Sequence, residues 1–186
     1  SVNQPTALTA SITPKTDVSC NGGANGTATA NGSGGTAPYT YLWSNGSTDK
    51  TATGLAAGIY TVTVSDMMKC MASASVTITQ PNAISVNISD VVNANCAGGE
   101  DGSAKATASG GTGLYDFFWS NGFTQLDQAS MSTATGLAAG GYNVTVVDAN
   151  GCSTVKAFEI SDPNNLDLVV TNVTNESCDE KNDGSA

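Results

Sequence analysis

Histidine and arginine are absent from this sequence, and only six lysines stand against sixteen acidic residues. With no imidazole there is no ready base to activate a serine or cysteine nucleophile. With no histidine and no Cys-x-x-Cys pair, zinc has no ligand set. A net charge of −10 without arginine repels phosphate backbones, which excludes nucleic acid as a partner. No run of about 18 apolar residues exists, so no segment is expected to span a membrane. Leucine, glutamate and lysine are scarce and no window carries a 3.6-residue apolar stripe, so long helices are not expected. No glycine-rich segment precedes a helix, which removes a phosphate cradle. No acid–base or nucleophile set recurs or clusters. The chain is therefore read as non-enzymatic, with no catalytic residue and no cofactor.

What the chain does contain is Thr, Ser, Ala, Asn and 21 glycines, the composition of short strands and tight turns. It also repeats. Cys20-Asn-Gly-Gly-Ala-Asn-Gly26 returns as Cys96-Ala-Gly-Gly-Glu-Asp-Gly102 and again as Cys178-Asp-Glu-Lys-Asn-Asp-Gly184. Gly34-Gly35-Thr36 returns as Gly110-Gly111-Thr112, and Tyr39-Thr-Tyr41-Leu-Trp43-Ser-Asn-Gly46 as Tyr115-Asp-Phe117-Phe-Trp119-Ser-Asn-Gly122. These matches lie 76 positions apart. From Gly54-Leu55, which matches Gly136-Leu137, the offset is 82. Six residues are thus inserted within Phe123 to Thr135, and an insertion confined to one segment is expected to be a surface loop. The pattern predicts one unit over residues 4–81, a second over 82–163 and the start of a third over 164–186. Because Gln4-Pro5 matches Gln80-Pro81 and the third copy is short, a longer array is expected.

Period-2 alternation runs through each unit. Leu8, Ala10 and Ile12 recur as Ile84, Val86 and Ile88, and Tyr60, Val62 and Val64 alternate with threonines. Tyr39, Tyr41 and Trp43 share one face, as do Tyr115, Phe117 and Trp119. Six or seven short strands per unit, with Asn-Gly and Gly-Gly-Thr turns between them, predict an all-β fold of tandem antiparallel β-sandwich repeats. A core Trp followed by a later Gly-x-Tyr-x-Val-x-Val strand resembles immunoglobulin-like domains. Tyr60 and Tyr142 then stand as tyrosine corners.

Together, Cys-Asn-Gly-Gly-x-Asn-Gly, Gly-Gly-Thr-x-Pro-Tyr-x-Tyr-x-Trp-Ser-Asn-Gly and Gly-Leu-Ala-Ala-Gly-x-Tyr-x-Val-x-Val-x-Asp resemble the SprB-type repeat, named for a gliding-motility adhesin. The resemblance implies an extracellular protein of the bacterial cell surface. It implies a structural and adhesive role, as the stalk or filament of an adhesin. Repeats of this kind contact their neighbours, so neighbouring repeats of the same chain are the first partners expected, followed by surface polysaccharide or adjacent fibres. The alternative is a carbohydrate-binding accessory module of a secreted enzyme, with Phe117, Phe118 and Phe123 as its exposed aromatics.

Five cysteines in such a setting predict disulfides. The simplest scheme closes each repeat on itself, Cys20–Cys70 and Cys96–Cys152, with the partner of Cys178 outside the chain. It needs an extra strand in Thr16 to Cys20 to return the chain to the correct pole. Plain immunoglobulin order instead puts Cys20 and Cys70 a strand length apart, beyond the ~7 Å reach of bridged Cα atoms, and leaves Cys20 facing Cys152 across a junction. Both schemes stay open on the sequence. Asp66 and Asp148 recur at matched positions and suit turn hydrogen bonds. Calcium needs about six to eight oxygens. It remains a subordinate option with no residue set, since Glu100 and Asp101 face only Ala24 and Asn25 in the other copy. In the inserted segment, Phe123, Leu126 and Met131 are costly to leave in water and are the expected contact residues.

Overall fold

The structure is a computed structural model that describes residues 6–96 and 98–162. Cys178 and the incomplete third copy, residues 164–186, lie outside the described residues. The first module comprises β1 (Thr9–Thr16), β2 (Gly26–Ser33), β3 (Thr40–Trp43), β4 (Thr51–Leu55), β5 (Gly58–Ser65) and β6 (Met71–Ile78). The second comprises β7 (Ser85–Val92), β8 (Gly102–Ser109), β9 (Tyr115–Trp119), β10 (Thr124–Gln128), β11 (Met131–Leu137), β12 (Gly140–Asp148) and β13 (Ser153–Ile160). Among the described residues there is no helix, and the chain is all-β.

In the first module a β1-β2-β4 sheet faces a β3-β5-β6 sheet; in the second a β11-β8-β7 sheet faces a β10-β9-β12-β13 sheet. Every pairing is antiparallel. This is an immunoglobulin-like sandwich, built twice.

Alternation decides which side chains meet between the sheets. In β2, Ala28 and Ala30 point inward while Thr27 and Thr29 point out. Opposite them, β5 turns Val62 and Val64 inward. The alanines keep one wall thin, which leaves room for the buried Trp43 on the other. The second core repeats the plan with Ala104, Ala106 and Ala108 against Phe117, Trp119, Val144 and Val146. Burying a side chain such as Phe117 contributes about 1.5–3 kcal/mol relative to leaving it in water.

The motifs resolve into turns with defined hydrogen bonds. Gly34 and Gly35 have φ of 76° and 58°, and a Cβ on Gly34 would sit 2.2 Å from the carbonyl oxygen of Ala7. Only glycine tolerates that approach. The Tyr39 hydroxyl then donates to the Gly34 carbonyl at 2.6 Å, and Tyr115 bonds Gly110 in the same way. The hydroxyls of Tyr60 and Tyr142 donate to the carbonyls of Ala56 (3.2 Å) and Ala138 (3.0 Å), the tyrosine-corner bond.

The insertion adds a strand and is not a loose loop. β10 pairs antiparallel with β9 and extends that sheet by one edge. The turn rearrangement also changes the partner of the core indole. Trp43 Nε1 donates to the Asp49 carbonyl at 2.9 Å, whereas Trp119 Nε1 donates to the buried Ser132 hydroxyl at 3.0 Å.

Candidate functional site at the module junction

The cysteines are positioned by two local structures at opposite poles of each module. After β1 the chain passes the end of β6, where Val18 N donates to Thr79 O at 2.9 Å and Thr79 N to Asp17 Oδ1 at 2.8 Å. Asp17 also takes two bonds from Lys15 Nζ, which together with the Thr79 amide hold its carboxyl below the ordinary value of 3.8. Cys20 follows at the lower pole, in a tight loop closed by Gly23 N to Cys20 O (3.0 Å) and by Ser19 N to Asn25 Oδ1 (3.0 Å). Two further bonds tie the loop to the linker: Asn21 Nδ2 to Pro81 O at 3.1 Å and Gly22 N to Gln80 Oε1 at 2.8 Å.

The second local structure is the hairpin between the last two strands. Asp66 lies at the end of β5 and Cys70 just before β6. Asp66 Oδ2 accepts from Thr36 N at 2.9 Å and Oδ1 from Cys70 N at 2.8 Å. The Thr36 amide, followed by those of Cys70 and Met68, lowers the Asp66 pKa below 3.8 against the opposing effect of burial. In the second module Asp148 makes the matching hydrogen bonds, accepting from Thr112 N and Cys152 N, both at 2.9 Å. The recurring aspartates thus brace the hairpin that presents a cysteine.

The structure places a disulfide between Cys20 and Cys152, across the junction, with Cα atoms 5.6 Å apart. The within-repeat scheme, Cys20–Cys70 and Cys96–Cys152, is therefore corrected; Cys70 and Cys96 are exposed thiols. The reason lies in the path of the chain. Cys20 sits beside the linker that follows β6, whereas Cys70 precedes β6. Eight residues of strand put about 26 Å between those poles. The extra strand needed to bring Cys20 back does not form among the described residues, because the segment after β1 runs on to Thr79.

The bridge is reinforced by Asn150, whose Nδ2 donates to Ser19 O at 3.0 Å. Around it lies a cleft of about 330 Å³ with Cys20, Asn21 and Pro81 on one side and Ala83, Ile84 and Gly111 among those on the other. An oxidising compartment is where such a bond persists.

The other expected site residues lie elsewhere. Phe117 is fully buried at 0% exposure, so it is corrected as an exposed aromatic of a carbohydrate-binding face. Phe118 and Phe123 are about 40% exposed. Phe123 precedes the edge strand β10, Leu126 lies within it and Met131 opens β11, and they are exposed by 41%, 55% and 49%. None belongs to either core cluster. Asp101 is engaged by the Asn95 backbone and side-chain amides, which lower its pKa below 3.8, and Glu100 lies beside it in the same loop. The 76- and 82-residue offsets mark Cys20 and Cys96, and Cys70 and Cys152, as equivalent positions, but they carry no signal for which poles meet.

Fold and junction together define a class: tandem immunoglobulin-like sandwiches joined head to foot by a disulfide. Residues 12–48 and 88–124 each match the SprB repeat family. Each match runs from the first strand of a module through the turn after its core Trp. A comparison with curated proteins finds no match. Among solved structures, the eight N-terminal Ig domains of Down Syndrome Cell Adhesion Molecule are similar at 17% identity and a TM-score of 0.46, over 84% of this chain and 24% of that one. The chain thus spans about a quarter of that structure. Fibronectin(III)-like modules of Clostridium thermocellum CbhA are similar at 16% identity and a TM-score of 0.36, over 82% and 93%. SprB repeats occur in cell-surface proteins. No helix among the described residues is long and apolar enough to cross a membrane.

Proposed function

We propose that this chain is a stretch of the stalk or filament of a large extracellular adhesin on a bacterial cell surface, serving adhesion and gliding motility without catalysing a reaction. In this reading residues 4–81 and 82–163 are two structural units. The observation that carries the proposal is the Cys20–Cys152 bridge, which joins SprB repeats covalently at their poles and so passes stiffness from one module to the next. Pro81 in the linker restricts the hinge further. Neighbouring repeats are the primary partners, and Phe123, Leu126 and Met131 are candidates for contact with an adjacent fibre or with surface polysaccharide. The carbohydrate-module alternative has less support once Phe117 is in the core.

In-frame removal of one whole repeat from the natural protein tests this reading. A shorter surface fibre with adhesion and gliding retained is the expected result. Loss of adhesion at undiminished surface display would place a dedicated binding site in the repeat and contradict the stalk. Specific pull-down of the 186-residue chain by polysaccharide would favour the alternative.

A further inference from the structure

The upper pole of the first module reproduces the half of the junction contributed by the second. At the junction, Ala83, Ile84, Gly111, Asp148 and Cys152 face the Cys20 loop. Their repeat equivalents Ala7, Leu8, Gly35, Asp66 and Cys70 line a cleft of about 230 Å³ at the first module's own upper pole. Cys70 is exposed there, its amide held on Asp66 at 2.8 Å as that of Cys152 is held on Asp148 at 2.9 Å. The hairpins share a register too: Lys69 N to Asp66 O is 3.0 Å and Gly151 N to Asp148 O is 2.9 Å.

At the lower pole of the second module the donor half is likewise present. Cys96 is exposed in a loop closed by Gly99 N to Cys96 O at 2.8 Å, the counterpart of Gly23 N to Cys20 O. Asp101 Oδ1 accepts from Asn95 N at 3.0 Å, as Asn25 does from Ser19.

We propose that the cleft beside Cys70 is the docking site for the Cys loop of a preceding SprB repeat of the same polypeptide, closed by a disulfide to Cys70. Cys96 is the matching donor for a following repeat. The stalk is then laced by one disulfide per junction, each linking a loop to the hairpin of the next module. This rests on the reading of the chain as part of a repeat array. Closure of each bridge removes two protons and two electrons from a pair of thiols. A disulfide of the oxidising compartment accepts them and is reduced to two thiols. Modules bridged in this way resist separation at their poles even when one of them unfolds.

The test is disulfide mapping of the natural full-length polypeptide, with free thiols blocked by iodoacetamide before extraction and digestion kept non-reducing. The 186-residue chain, labelled in parallel, provides the reference in which Cys70 reacts. The expected result is loss of Cys70 labelling in the full polypeptide, with its peptide recovered linked to a Cys-loop peptide of the preceding repeat. Alkylated Cys70 beside an intact Cys20–Cys152 pair would overturn the proposal. So would Cys70 joined to Cys20, to Cys96, or to a separate polypeptide, the last seen as multimers that collapse on reduction. None of these failures alters the fibre-length result that tests the stalk reading.

Discussion

The hairpin of the second module reads Asp148-Ala-Asn150-Gly151-Cys152 and is seated against a neighbour; that of the first reads Asp66-Met-Met68-Lys69-Cys70 and is exposed. Both keep the aspartate brace and the cysteine, the groups that set the turn and the bridge. They differ where the tip meets the other module. Asn150 supplies a hydrogen bond to Ser19 that Met68 cannot make. Gly151 adopts φ 79° freely, whereas Lys69 is held at φ 67°. The cores differ as well: Phe117 is sealed in the second, while its counterpart Tyr41 is only partly buried in the first. The two modules therefore keep what shapes the pole and vary what tunes it.

The largest expected effect separates the cores. Phe117→Ala should destabilise the second module by about 3–5 kcal/mol, because a fully enclosed aromatic leaves a cavity that the surrounding strands cannot close. Tyr41→Ala, at a half-open position, should cost clearly less. Urea unfolding followed by the fluorescence of the local tryptophan checks both, and equal losses would remove the distinction.

A smaller effect separates the hairpins. Gly151→Lys places a side chain at positive φ and should cost about 1 kcal/mol. Lys69→Gly relieves the same strain but adds freedom to the unfolded chain, so its gain should be smaller than that loss. Thermal melts of the two variants give the asymmetry directly.

Acid provides the gentlest probe. The folded pKa values of Asp66, Asp17 and Asp101 lie below the ordinary 3.8. Their stabilisation is therefore fully present above about pH 4 and is lost as pH falls through the lowered folded values. Urea midpoints should hold steady from pH 7 toward 5 and drop below 4, and Asp66→Asn should shrink that drop in the first module.

Much of the fold was legible because alternation and turn chemistry act locally. Tyr115, Phe117 and Trp119 had to share a face, and the structure buries all three. That same alternation already spoke against Phe117 as an exposed ligand contact. The Asn-Gly and Gly-Gly-Thr motifs marked turns before any pairing was known. What local pattern could not show was which poles meet. Cysteine pairing depends on the path of residues 16–20 past β6, a tertiary property that leaves no periodicity. Nor did the six inserted residues announce an edge strand, since Thr124–Gln128 becomes one only by pairing with β9. Phe123, Leu126 and Met131 were singled out by polarity alone, and all three are exposed.

The junction bridge is the centre of the account, and non-reducing peptide mapping of the oxidised 186-residue chain addresses it most directly. The account predicts a Cys20 peptide linked to a Cys152 peptide, with Cys70 and Cys96 recovered as alkylated thiols. Recovery of Cys20 joined to Cys70 and of Cys96 joined to Cys152 would contradict it.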